Sequence, residues 1–236
     1  MTGKLYLLPN LLDDAVEDHT KFLPANIGEI VASLDGVICE TEKLARRFLG
    51  RFKKAQLPLK VLDEHTKDEE LAALLEPIEK GGTWGLLSDA GLPCIADPGA
   101  QVVKLARKKN IPVETVIGPS SFIMALMLSG FCGQRFSFHG YLPREKEPRK
   151  VRIRALEQKS RKEISSEIFM ETPYRNLELL QDLFLELQPQ TQLAVACDLT
   201  SPTQEVIVKS IKEWKKDPLP QINKRPCVFI IYAPVG

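Results

Sequence analysis

The chain has 236 residues, 44% hydrophobic and 27% charged, with a formal net charge of +1. That balance is ordinary for a globular protein and excludes a disordered polyelectrolyte or a whole-molecule polycation. No apolar run reaches the ~18–20 residues of a membrane span, and the first residues lack a signal-peptide pattern, so a cytoplasmic protein without membrane contact is expected.

In chain order, Lys4–Leu8 predicts a first strand, broken at Pro9-Asn10. Asp13, Asp14, Glu17 and Asp18 follow on a solvated turn or helix start. Ile27–Leu34 predicts a helix, Gly36–Cys39 a strand ending at Glu40-Thr41, and Glu42–Phe52 a basic amphipathic helix. Leu59–Leu62 is the next strand, ending in Asp63, Glu64 and His65. Asp68–Lys80 is a helix with Leu71, Leu74, Leu75 and Ile78 as its apolar stripe. A Gly81-Gly82 break then leads into a strand through Trp84, Leu86 and Leu87. Polarity and glycine replace bulk directly after it, at Ser88, Asp89, Ala90 and Gly91. Asp97-Pro98-Gly99 predicts a helix start with Asp97 as N-cap, and Val102, Val103, Leu105 and Ala106 supply its apolar face. Strands alternating with helices imply a parallel sheet.

Val113–Ile117 is a further strand, and Gly118-Pro119-Ser120-Ser121 marks the expected boundary between two domains, residues 1–117 and 118–236. Phe122–Ser129 is apolar almost all round, which predicts a helix buried on most sides. Phe136–Gly140 and Ile168–Met170 predict strands on either side of the basic stretch Arg144–Lys162, which holds nine Lys/Arg against three acids. Asn176–Leu187 predicts a helix, Leu193–Cys197 and Glu205–Val208 a hairpin, and Val228–Tyr232 the strand that closes a mixed sheet. Charge is divided unevenly. Residues 1–118 hold 15 Lys/Arg and 18 Asp/Glu, a net −3, and residues 119–236 hold 17 and 13, a net +4.

The five cysteines are scattered and odd in number, with no close pair along the sequence, and the three histidines are equally scattered. Neither a disulfide framework nor a metal site is expected. Polar strand ends collect at Pro9-Asn10, Glu40-Thr41, Glu64-His65, Ser88–Gly91 and Glu171–Arg175. Any one of these is polar simply because it meets solvent. As a set, converging on the loop after Leu87, they point to a ligand site in a cleft between two domains. Ser120 and Ser121 suit a helix N-cap, and a carboxylate could share the same free N–H groups. Arg144, Lys150, Arg152 and Arg154 are the nucleic-acid candidates, weighed against a plain solvated helix face.

The run Ser88-Asp-Ala-Gly-Leu-Pro-Cys-Ile-Ala-Asp-Pro-Gly99 resembles the signature loop of the tetrapyrrole methylase superfamily of S-adenosylmethionine (SAM) dependent methyltransferases. It is most similar to the branch that methylates a cytidine ribose 2′-hydroxyl in small-subunit ribosomal RNA. Val37-Ile-Cys-Glu-Thr41, Asp63-Glu-His-Thr66, Gly118-Pro-Ser-Ser121, Phe138-His-Gly-Tyr-Leu-Pro-Arg144, Glu171-Thr-Pro-Tyr-Arg175 and Asp198-Leu-Thr200 match the remaining motifs in order, over nearly the whole chain. The resemblance implies an α/β fold of two domains, a parallel-sheet N-terminal one and a mixed-sheet C-terminal one, with SAM in the cleft and commonly a homodimer. It implies cofactor contacts from Pro9, Ser88, Asp89, Ala90, Gly91, Pro93, Ser120, Ser121, Met170 and Glu171, with ribosomal RNA as the substrate. A hydroxyl acceptor would be helped by a general base, for which Glu40, His65 and Glu171 are candidates. The first loop, Leu8-Pro9-Asn10-Leu11-Leu12, is shorter than is usual in ribosomal RNA members and lacks their glycine, and Cys39 replaces the first of an acid pair. The alternatives are a small-molecule methylase of the same fold, or an RNA-binding module on a degenerate methylase fold.

Overall fold

The computed structural model describes residues 3–62 and 66–233. The chain divides into two compact units, residues 1–120 and 121–236.

The first unit is an α/β layer structure. Its strands are β1 (Lys4–Leu8), β2 (Gly36–Cys39), β3 (Leu59–Val61), β4 (Thr83–Leu87) and β5 (Val113–Thr115), with helices α1 (Ile27–Ala32), α2 (Glu42–Gly50), α3 (Asp68–Glu79) and α4 (Gly99–Lys108) between them. All pairings are parallel, in the order β3-β2-β4-β1-β5. Successive side chains on a strand point to opposite faces, so each strand feeds two cores. Leu8, Val37, Cys39 and Leu87 pack under α1 and α2. Leu5, Ile38, Trp84 and Leu86 pack under α3 and α4, where the predicted stripe Leu71, Leu74, Leu75 and Ile78 is buried. Helix α4 starts one residue later than the sequence suggests. Pro98 is its N-cap, and the Asp97 carboxylate accepts from the N–H groups of Cys94 (2.7 Å) and Gly99 (2.8 Å).

The second unit is built on a mixed sheet of β6 (Phe136–Tyr141), β7 (Ser166–Glu171), β8 (Gln192–Cys197), β9 (Glu205–Ser210) and β10 (Cys227–Tyr232), in the order β6-β7-β10-β8-β9. Only β6 and β7 run parallel, and β8 and β9 form the expected hairpin. The last strand, expected to close the sheet, lies at its centre. Cys-Val-Phe-Ile-Ile-Tyr is apolar along its whole length, which suits a strand covered on both faces. One face packs against α6 (Lys146–Glu163), α7 (Asn176–Glu186) and α8 (Ile211–Trp214). The other is covered by α5 (Ser121–Ser129). That helix departs from expectation. Ala125 and Leu126 are buried, but Met127 is 75% exposed and Leu128 48%, because the helix has a sheet on one side only. Two of the free cysteines, distant in sequence, meet in this sheet. Cys197 and Cys227 are directly opposed in the β8–β10 ladder, with their buried Sγ atoms 2.8 Å apart.

Candidate functional site

In an open parallel sheet the loop after a strand leads to a helix on one face or the other. A crevice opens where neighbouring strands send their chains to opposite faces. Strands β1 and β2 lead to α1 and α2 on one face, and β4, lying between them, leads to α4 on the other. The loop after β4 therefore sits at a double switch point. This is a property of strand order, and it selects the segment Ser88–Gly91.

Hydrogen bonds from both neighbouring strand ends hold that loop. From the end of β1, the buried Asn10 donates through Nδ2 to the carbonyls of Ser88 (3.1 Å) and Asp89 (3.0 Å). The Asn10 N–H donates to the Gly91 carbonyl at 2.7 Å. From the end of β2, Thr41 donates to Asp89 through its N–H (3.1 Å) and its hydroxyl (2.7 Å). Glu40 Oε1 accepts from the Asp89 N–H at 3.2 Å. Burial pushes the Glu40 carboxyl above the ordinary carboxylate range, against hydrogen bonds from Ser88 and Asp89, and the charges of Asp97 and Asp89 push the same way. Gly91 adopts φ +72°, a conformation that disfavours a side chain, and a Cβ there would sit 3.2 Å from Leu12 Cδ2. Gly118 allows the closest approach of all, since a Cβ would fall 2.0 Å from Pro9 Cβ. Pro9, Gly118 and the Ser88–Gly91 loop thus meet around one crevice. Glu40, Pro93 and Asp97, with Leu62, Leu86 and Leu87, line a cavity of about 10 Å³, room for one water and not for a nucleoside.

Sequence reasoning named Pro9, Glu40, Ser88, Asp89, Ala90, Gly91 and Pro93, and these residues lie together in the first unit. It passed over Asn10, Thr41 and Gly118 as individual groups. Their signal was position alone, directly after β1, β2 and β5. His65 lies outside the described residues.

In the second unit, Ser121 opens α5 and its hydroxyl lies 4.0 Å from Met170 Sδ. Ser120 flanks that helix start in sequence. Glu171 follows Met170 on β7, so its side chain points to the opposite face of the sheet. It is buried, and its Oε1 accepts from the Thr172 N–H (2.6 Å) and from Arg175 Nε (3.1 Å) and Nη2 (2.6 Å). Among the described residues, Glu171 Oε2 has no hydrogen-bond partner. Met170 and Glu171, adjacent in sequence, therefore do not share a surface.

The basic stretch is helix α6, and much of its charge is answered by α7. Arg149 is fully buried against Asp182 and Glu178. Arg154 pairs with Glu186, and Lys150 lies 3.2 Å from Glu147 and 3.9 Å from Glu186. Arg144 and Arg152 are exposed and have no ion-pair partner among the described residues. On the β6 side, the fully buried Glu167 accepts from His139 Nε2 (2.5 Å), Ser165 Oγ (2.5 Å) and Lys159 Nζ (3.0 Å). Burial opposes its ionisation, but the three donors outweigh that and hold the carboxyl below its ordinary value. A depressed carboxyl stabilises the fold above its unfolded pKa, and this contribution is lost as pH falls through the folded value. Denaturant midpoints of the native protein should fall below about pH 4.5, and Glu167→Gln should flatten that acid limb. An unchanged limb would remove Glu167 from the account.

Residues 27–215 match the family model of tetrapyrrole (corrin/porphyrin) methylases. The chain belongs to this family and is a methyltransferase. Among curated proteins, it is 32% identical to the ribosomal RNA small subunit methyltransferase I of Bacillus subtilis, over 97% of this chain and 75% of that one. It is 27% identical to the protein of the same name from Haemophilus influenzae, over 98% and 79%. Among solved structures, diphthine synthase superposes with a TM-score of 0.68 at 16% identity, covering 97% of this chain and 89% of that one. Uroporphyrin-III-C-methyltransferase from Thermus thermophilus gives 0.57 at 18%, covering 98% and 93%. These structures share the fold, two α/β units with one parallel and one mixed sheet. Among the described residues no helix is long and apolar enough to cross a membrane, and no group of His, Cys, Asp and Glu could hold a metal ion.

Proposed function

We propose that this protein transfers a methyl group from SAM to a ribose 2′-hydroxyl of small-subunit ribosomal RNA, in the cytoplasm and as a homodimer. The observation that carries this reading is the Ser88–Gly91 loop, held by Asn10, Thr41 and Glu40 at the switch point of the parallel sheet, in a chain of this family. The relatives named for ribosomal RNA, similar over almost the whole chain, favour RNA over a small acceptor.

The donor set suits SAM. Carboxylates at Asp89 and Glu40 favour a cationic ligand, and Gly91 and Gly118 let the loops around them pack closely against Leu12 and Pro9. Bound there, SAM would supply a methyl carbon activated by a sulfonium. Pro9, Ser88, Asp89, Ala90, Gly91 and Pro93 would hold it from the first unit, with Asp89 fixed by Thr41 and Glu40. An in-line displacement needs alignment more than covalent help, so a rigid loop is what the chain must provide. Within the second unit, the Ser121 hydroxyl lies against Met170 Sδ, the two residues the resemblance assigns to the cofactor, and Glu171 braces the turn at Arg175.

The test is a calorimetric titration with SAM, followed by labelled methyl transfer to ribosomal RNA. Protection of the modified linkage from alkaline hydrolysis would mark the 2′-oxygen. Asp89→Ala is expected to weaken SAM binding at least tenfold while the fold persists. No binding by a well-folded, ligand-free sample would overturn the reading.

A further inference from the structure

We propose that the strip of the second unit between α6 and the outer edge of β6, carrying Arg135, His139, Arg152 and Lys159, grips the phosphate backbone of the RNA. The inference rests on the RNA-methyltransferase reading and names the surface that reading leaves open.

The central cations of α6 differ in what answers their charge. Those turned towards α7 are neutralised, Arg149 by Asp182 and Glu178, and Arg154 by Glu186. On the β6 side the balance is different. Arg152 Nη2 donates to His139 Nδ1 at 3.0 Å, and Arg135 Nη1 donates to the Glu163 carbonyl at 3.2 Å. Among the described residues neither arginine has a carboxylate within ion-pair distance, and both are exposed. Lys159 donates to Ser137 and shares the one carboxylate, Glu167, with His139. Of the three cations along this side, only Lys159 is paired with a carboxylate.

His139 is the positioning residue. An arginine can only donate, so His139 Nδ1 is the acceptor and the ring proton sits on Nε2, where it is given to Glu167. The buried carboxylate fixes the ring, the ring fixes one nitrogen of Arg152, and the remaining guanidinium N–H groups stay available. Arg152 and the Glu163 end of α6, where Arg135 sits, are eleven residues apart. At 1.5 Å per residue this is about 16 Å, longer than one phosphate group and suited to an extended polyanion. Among the described residues β6 is the edge strand of its sheet, paired with β7 alone, so it can offer backbone donors on its outer side. A protein strand is the poorer occupant. The register shift between Phe138 and Tyr141 and the flanking arginines are features that block edge pairing.

The test uses the whole 236-residue chain without SAM and a fluorescent fragment of small-subunit ribosomal RNA, titrated between 50 and 200 mM salt. The double variant Arg135→Gln/Arg152→Gln is expected to bind at least tenfold more weakly, with the salt slope reduced by about one to two. His139→Gln should give a smaller loss of the same kind. Arg154→Gln should cost less than half as much in log K as Arg152→Gln, and Lys212→Gln/Lys215→Gln, on and beside α8, should stay within about twofold of the parent. Equal losses from all these changes would mean diffuse attraction and overturn the proposal. So would full RNA affinity in the double variant, or a change in its oligomeric state in place of its RNA affinity. Calorimetry with SAM separates the two readings. RNA binding without SAM binding would sink the methyltransferase reading, and SAM binding with an unaltered RNA affinity in the double variant would sink only the surface.

Discussion

Asp182→Ala is expected to destabilise the second unit by about 3–5 kcal/mol, the cost of breaking a buried ion pair and leaving the cation only the solvent-screened Glu178. Arg149 has no exposed surface. Its Nε donates to Asp182 Oδ2 at 2.8 Å, its Nη1 to the Arg144 carbonyl at 2.9 Å, and its Nη2 lies 2.5 Å from Glu178 Oε1. The two carboxylates are not equivalent. The Asp182 side chain is 3% exposed and that of Glu178 53%, so water screens the second pair and not the first. Glu178→Ala should therefore cost no more than about 1 kcal/mol. Replacing Arg149 and Asp182 together by Met and Leu should recover most of the loss, since the apolar pair leaves no buried charge. Each unit carries one tryptophan, Trp84 in the first and Trp214, buried, in the second. In a Trp84→Phe background, thermal unfolding of the second unit can be followed alone. At about 2–4 °C per kcal/mol for a chain of this size, the Asp182→Ala midpoint should fall by roughly 6–20 °C. A fall under about 2 °C would mean that Arg149 is compensated by something other than Asp182.

Gly118→Ala is expected to abolish measurable SAM binding while costing only about 1–3 kcal/mol of stability, as overpacking does. The added Cβ would lie 2.0 Å from Pro9 Cβ and 2.9 Å from Pro9 Cγ, so the segments after β1 and β5 must separate by more than an ångström. Asn10 travels with Pro9, and Asn10 holds the Ser88 and Asp89 carbonyls. Displacing it would draw the central loop out of place, and misplacement of about 1 Å is enough to cost a hundredfold in a positioned reaction. Gly50→Ala is the matched control. Nothing lies within 4 Å of the added Cβ, and at the end of α2 the change should be neutral or slightly stabilising. Calorimetry with SAM and denaturant midpoints on both variants would check this. Native SAM affinity in Gly118→Ala would show that the loops tolerate separation.

Much of the architecture was legible along the chain. The stripe Leu71, Leu74, Leu75 and Ile78 marked α3, and the run through Trp84, Leu86 and Leu87 marked β4. The switch to Ser88-Asp89-Ala90-Gly91 marked the loop that strand order places at the crevice. These are statements about periodicity and about where bulk gives way to polarity, and both are carried by neighbouring residues.

What only the tertiary structure decided was which side chains meet. Helix α6 was a basic run in the sequence, but Asp182 and Glu186, more than 30 residues away on α7, neutralise one side of it and leave Arg152 beside His139 on the other. The apolar run of α5 gave no sign that Met127 and Leu128 would stay largely exposed among the described residues, because apolar content reports how much surface could be buried and not what is there to bury it. Met170 and Glu171, neighbours in sequence, diverge to opposite faces of β7, while Gly118 and Pro9, over 100 residues apart, meet. A sequence carries each residue's own preference for water, backbone shape and charge. Pairing depends on strand order and packing, which set distances between residues that the chain itself keeps far apart.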